Sequence, residues 1–185
     1  YFNQPIDSWD VSQVKNMANM FSGSGYYFAD AYYFNQPIES GDVSQVKNMA
    51  RMFSGCGYYS GVIFNQPLDS WDVSQVKNMG YMFADEDSFN QPIDSWDVSQ
   101  VKDMRRMFRS ATSFNQPIDS WDVSQVKDMR DMFSGNYYSG ATNFNQPIGS
   151  WDVSQVKDMA KMFDFAIFNQ PIDSWDVSQV KDMAK

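Results

Sequence analysis

One twenty-residue motif, written seven times, constrains this chain more than any other feature. The unit F-N-Q-P-I-D-S-W-D-V-S-Q-V-K-D-M-x-x-M-F begins at Phe2, Phe34, Phe64, Phe89, Phe114, Phe144 and Phe168. Six copies are complete, and the seventh stops at Lys185 before its Met-Phe. Connectors of 12, 10, 5, 5, 10 and 4 residues join them. The shortest full period, 24 or 25 residues, belongs to the range of stacked repeat architectures.

The fifth copy serves for all. Its apolar residues are Phe114, Ile118, Trp121, Val123, Val126, Met129, Met132 and Phe133. Trp121 and Val123 flank Asp122, the alternation of a short strand with one face inward. Val126, Met129, Met132 and Phe133 follow the spacing of a short helix. Asp122-Val123-Ser124-Gln125 has the form of a capping box for that helix. Pro117 lacks the N–H of a central strand, so Asn115-Gln116-Pro117 reads as a corner.

Eight apolar side chains on such a unit cannot offset the chain entropy of ordering it alone. Stacked on its neighbours, each turn buries its inward face. The expected fold is therefore an α/β repeat: a parallel solenoid of about seven turns, short strand plus short helix per turn, forming one domain over residues 1–185. Seven turns spaced as adjacent strands give a rod about 30 Å long. Identical positions then form ladders. Asn3, Asn35, Asn65, Asn90, Asn115, Asn145 and Asn169 are placed to bond along the stack. Trp9, Trp71, Trp96, Trp121, Trp151 and Trp175 form an inward column, with Gly41 its one gap. The residues that vary between the two methionines, Arg105-Arg106 and Arg130-Asp131 among them, are expected to face solvent.

The joint spacing of F-N-Q-P, W-D-V-S and M-x-x-M-F resembles the BspA-type leucine-rich-repeat surface proteins. The likeness covers the chain outside its long connectors. It implies a leucine-rich-repeat-like, right-handed solenoid at the cell surface or outside the cell, used for adhesion or scaffolding. It carries over no catalytic residue.

Composition excludes much chemistry. Without histidine there is no His-dependent triad and no imidazole metal ligand. The one cysteine, Cys56, rules out an internal disulfide or a thiolate zinc cage. With a net charge of −9 and no basic run, the chain is a poor partner for nucleic acid. No stretch reaches the roughly 18 apolar residues of a membrane span.

Asp10, Asp42, Asp72, Asp97, Asp122, Asp152 and Asp176 stack in one column, and calcium bridging is one answer to their repulsion. Capping of backbone N–H groups, with a lysine ladder (Lys15, Lys47, Lys77, Lys102, Lys127, Lys157, Lys181) alongside, is the favoured one, and no cofactor is expected. The carboxylates repeat uniformly, whereas a catalytic pair needs a local exception that separates two pKa values. The chain reads as no enzyme.

Eight of ten tyrosines lie in the long connectors 22–33, 54–63 and 134–143: Tyr26, Tyr27, Tyr32, Tyr33, Tyr58, Tyr59, Tyr137 and Tyr138. Tyr with Ser and Gly is the composition of binding loops. Three uses compete: recognition of a protein or glycan, packing on the stack (a ring from Tyr26 to Tyr33 filling the Gly41 gap), and contacts between copies of the chain. Both ends of the repeat lack atypical caps, which fits either a segment of a longer array or head-to-tail pairing of copies into a fibre. The expected function is a structural, adhesive extracellular element, with end-to-end assembly into a fibre one form of it. The alternative is a protein- or glycan-binding module using the Tyr-rich loops.

Overall fold

The computed structural model describes residues 2–23, 33–55, 63–137 and 140–184. Every copy is a succession of β-turns. In the fifth, the turns are closed by Trp121 N–H to the Ile118 carbonyl (3.2 Å), Val126 to Val123 (2.9 Å), Met132 to Met129 (3.1 Å) and Ser134 to Asp131 (3.2 Å). The remaining alternate N–H groups leave the copy. Met129, Asp131, Phe133 and Gly135 donate to Asp158, Ala160, Met162 and Asp164 of the next, while Lys127 donates back to Lys102. Parallel bridges consequently run Asn16, Asn48, Asn78, Asp103, Asp128, Asp158, Asp182, one per copy.

This overturns the expected α/β solenoid with a short strand and a short helix in each turn. Among the described residues there is no helix, and β pairing is confined to isolated bridges. The reason lies between the two methionines. Asn19, Arg51, Tyr81, Arg106, Asp131 and Lys161 have φ of 54 to 62°, the left-handed region, which no right-handed helix admits. Every second N–H there is also committed to the neighbouring copy. Consecutive β-turns advance by about three residues as a helix does, so Val126, Met129, Met132 and Phe133 still point inward, and all are buried. Trp121 and Val123 are likewise buried, but the backbone after them enters a turn.

The core is one continuous cluster with two interlocked columns of phenylalanine. The last Phe of each copy stacks on the first Phe of the next: Phe21 on Phe34 at 4.1 Å, Phe83 on Phe89 at 4.0 Å, Phe133 on Phe144 at 4.0 Å. Each connector therefore departs and returns at one ring pair. That closure lets connectors of 4 to 12 residues coexist in one register.

Polar ladders line the same stack. Each motif Asn accepts, through Oδ1, the backbone N–H of the next copy's Asn and the Nε2 of its Gln, as Asn35 does from Asn65 and Gln66 (both 3.0 Å). The asparagine ladder thus runs from Asn Oδ1 to the next copy's backbone N–H and Gln side-chain amide, not from one Asn side chain to the next. The indoles do the same: Nε1–H of Trp71, Trp96, Trp121, Trp151 and Trp175 donates to the carbonyl of Ile38, Leu68, Ile93, Ile118 and Ile148, one copy back.

Candidate contact surface

Of the eight connector tyrosines, Tyr26, Tyr27, Tyr32, Tyr58, Tyr59 and Tyr138 lie outside the described residues, as does Cys56. Tyr33 is about half exposed and Tyr137 is 83% exposed. Tyr137 sits on a small excursion that the neighbouring copies hold at its base. Asn136 and Gly140 exchange both backbone hydrogen bonds (3.2 and 2.9 Å), with Gly140 at φ 83°. On one side Asn136 Nδ2 donates to Ser110 Oγ of the preceding copy (2.6 Å). On the other, Gly135 N–H meets the Asp164 carbonyl and Thr142 bridges to Ala166. Thr142, buried, donates its hydroxyl to the Phe133 carbonyl at 2.7 Å. Gly135 is required there, because a Cβ would run into the Gly140 and Phe165 carbonyl oxygens. The connector presents an aromatic side chain from a fixed base.

The aspartates of the capping column are exposed, and each described one accepts the backbone N–H two residues on, as Asp122 does from Ser124 (3.0 Å). The capping chemistry holds, but what it closes is a β-turn. Hydrogen bonds from the Ser12 side chain and backbone hold Asp10 below the usual carboxylate range, and Ser44 does the same for Asp42. The lysine ladder makes no ion pair among the described residues; every pair there uses arginine. No group of three or more Asp, Glu or Cys among them is placed to hold a metal ion.

Sequence reading missed a second feature on this surface. The left-handed position forms its own column, which brings Arg51, Tyr81, Arg106 and Asp131 together from four consecutive copies. Arg51 lies over the Tyr81 ring at 4.1 Å from its centroid, and Arg106 at 5.3 Å. Arg106 also donates to the Tyr81 hydroxyl (2.9 Å) and to Asp131 Oδ2 (2.8 Å). Burial works against the Arg106 charge, yet the Asp131 carboxylate beside it drives the pKa up. Asp131 is buried, not solvent-facing as its place in the motif suggested. Aligning the copies by their methionines would have shown that these side chains are neighbours.

The Trp column is buried at Trp71, Trp96, Trp121 and Trp151 (3 to 5% exposed), whereas Trp9, beside the Gly41 gap, is 49% exposed. Filling of that gap by Tyr26, Tyr27 or Tyr32 falls outside the described residues. No helix among the described residues is long and apolar enough to cross a membrane.

A family model described as Mycoplasma protein of unknown function, DUF285, matches residues 1–63, 26–138 and 135–185. No curated protein and no solved structure matches the chain.

Proposed function

The chain belongs to the repeat family described as Mycoplasma protein of unknown function, DUF285, and from that premise we propose that it is a non-catalytic, adhesive repeat protein of the cell surface. Its stacked copies are the scaffold, and the Tyr-bearing connectors are the contact points. The observation that carries this reading is Tyr137: 83% exposed, on an excursion tied to the copies before and after it. A large, amphipathic ring held on a rigid base loses little entropy on contact, which suits adhesion to protein or glycan. The resemblance of the motif to BspA-type surface proteins supports the extracellular placement.

The test uses beads coated with the full chain, presented to a glycan array, to immobilised extracellular matrix proteins and to a surface carrying the chain itself. Adhesion that falls severalfold in Tyr137→Ser, at an unchanged melting temperature, supports the reading. Equal adhesion by the variant, or none by the parent on any surface, overturns it. Adhesion confined to the chain-coated surface assigns the contacts to self-assembly.

A further inference from the structure

The break in the tryptophan column has the shape and the chemistry of a ligand site. At five places an indole N–H meets the carbonyl of the Ile or Leu one copy back, at 2.9 to 3.2 Å. The Ile6 carbonyl belongs to the same column, but the residue that would supply its indole is Gly41. Among the described residues Ile6 receives only the turn N–H of Trp9, at 2.9 Å.

The space is apolar and open on one side. Trp9, Val11, Met20, Phe21, Val43 and Trp71 line it, and its volume is about 40 Å³, so a bicyclic ring seated there projects through the open side. Elsewhere in the column, tryptophans such as Trp96 and Trp121 stack at 6.5 Å with rings 3° from parallel. At the gap Trp9 and Trp71 each lack that neighbour; Trp71 is still buried at 5%, while Trp9, in the first copy, is 49% exposed.

We propose that this gap binds a free, small indole: a planar bicyclic ring between Trp9 and Trp71, its N–H donated to the Ile6 carbonyl. Five of the chain's own side chains already demonstrate that recognition, so the occupant is read from the repeat itself. The Gly41 backbone occupies the place from which a tryptophan side chain would spring. A bulky substituent at the indole 3-position collides with it, so indole is accepted and free tryptophan is not. The apolar walls supply most of the affinity and the carbonyl supplies selectivity for a ring N–H.

The test is calorimetric titration of the full chain with indole, with benzofuran (the same ring shape without N–H) and with free tryptophan, beside Gly41→Trp. Expected is one saturable indole site, about threefold or more tighter than for benzofuran, with no binding of tryptophan. Gly41→Trp is expected to abolish binding; Gly41 is not in a left-handed conformation, and a Cβ there makes tight contacts with Val11 Cγ2 at 3.3 Å and the Ile38 carbonyl oxygen at 3.4 Å, which a small shift of the Val11 side chain relieves. Should that variant fail to fold, indole-induced shifts of the Trp9 and Trp71 side-chain N–H resonances in the parent decide the matter. The proposal is overturned by no saturable binding, by benzofuran binding as tightly as indole, by undiminished binding to folded Gly41→Trp, or by shifts confined to other tryptophans.

Discussion

Phe133 and Phe144 lie face to face at 4.0 Å, 5° from parallel, although the whole connector 134–143 runs between them. Both are fully buried. The ring pair, not the connector, closes the turn, so stability is assigned to the pair. Phe144→Ala is expected to cost about 3–5 kcal/mol in urea denaturation. Replacing 136–143 by Ala-Thr-Ser, which keeps Ser134 and Gly135 and leaves a five-residue connector like 109–113, is expected to cost less than Phe144→Ala, because the lower closure entropy of the shorter loop offsets part of the hydrogen bonds lost with Asn136, Gly140 and Thr142. The reverse order of effects would place closure in the connector.

Arg130 reaches two aspartates of successive copies, Asp128 at 3.4 Å and Asp158 at 3.5 Å. In the first three copies the bridge position is Asn16, Asn48 or Asn78, followed two residues on by Ala or Gly; arginine follows it only where carboxylates begin to stack, at Asp103 and Asp128. Burial raises the Asp128 pKa, and the charges of Asp103 and Asp158 add to the rise, opposed by Arg130. The unfolded chain then loses its proton first as pH increases, and stability falls between the ordinary and the raised pKa. Arg130→Ala is expected to cost about 0.2–1 kcal/mol at neutral pH, and less once Asp128 is protonated. Asp128→Asn is expected to melt higher than the parent at neutral pH and to lessen the effect of Arg130→Ala. Thermal melts across acid and neutral pH check all three; an equal loss at every pH would remove Arg130 from charge compensation.

How much of this was legible depends on which atoms carry the information. The seven starts and the inward set, Phe114 to Phe133 in the fifth copy, followed from apolar spacing, because any stack of copies must bury the same positions. The helix did not, since Met129, Met132 and Phe133 share a face in a helix and in consecutive turns alike. The discriminating fact is a backbone angle at Arg106 or Lys161, and neither residue type announces φ above zero. Asn19 and Asp131 do. Asp122 was correctly read as a backbone acceptor, and only the element it closes was misjudged. Arg51, Tyr81 and Arg106 meet through the register between copies, which a reading of one copy at a time does not contain.

Lys161 offers the cleanest test of that backbone angle. It is exposed, makes no ion pair among the described residues, and stands at φ 56° with its N–H on the Ala184 carbonyl. A non-glycine residue there costs about 1–2 kcal/mol, partly regained through the smaller entropy of its unfolded chain. Lys161→Gly is expected to raise stability by up to about 1 kcal/mol, and Lys161→Val to lower it, because a β-branched side chain tolerates this region worst. Equal melting temperatures for the two would be incompatible with a left-handed residue at this position.

Glu86 is fully buried in a position that Ala111 holds in the following copy. Its Oε1 accepts the Ser88 N–H at 3.1 Å, while Oε2 makes no well-formed hydrogen bond among the described residues. Burial raises its pKa well above the ordinary glutamate value, against the backbone N–H groups of Ser88, Phe64 and Phe89, and neighbouring Asp87 adds to the rise. The folded protein therefore keeps a proton that the unfolded chain has already released. By linkage, stability declines as pH rises from the ordinary glutamate pKa to the raised one, and is flat above it. Glu86→Gln keeps the acceptor for Ser88 and has no proton to lose. It is expected to melt higher than the parent at neutral pH and to converge with it under acid conditions where Glu86 is protonated in both states. A melting difference that is the same at acid and neutral pH would show that Glu86 does not titrate with folding, and that its carboxylate is solvated in a way its burial does not permit.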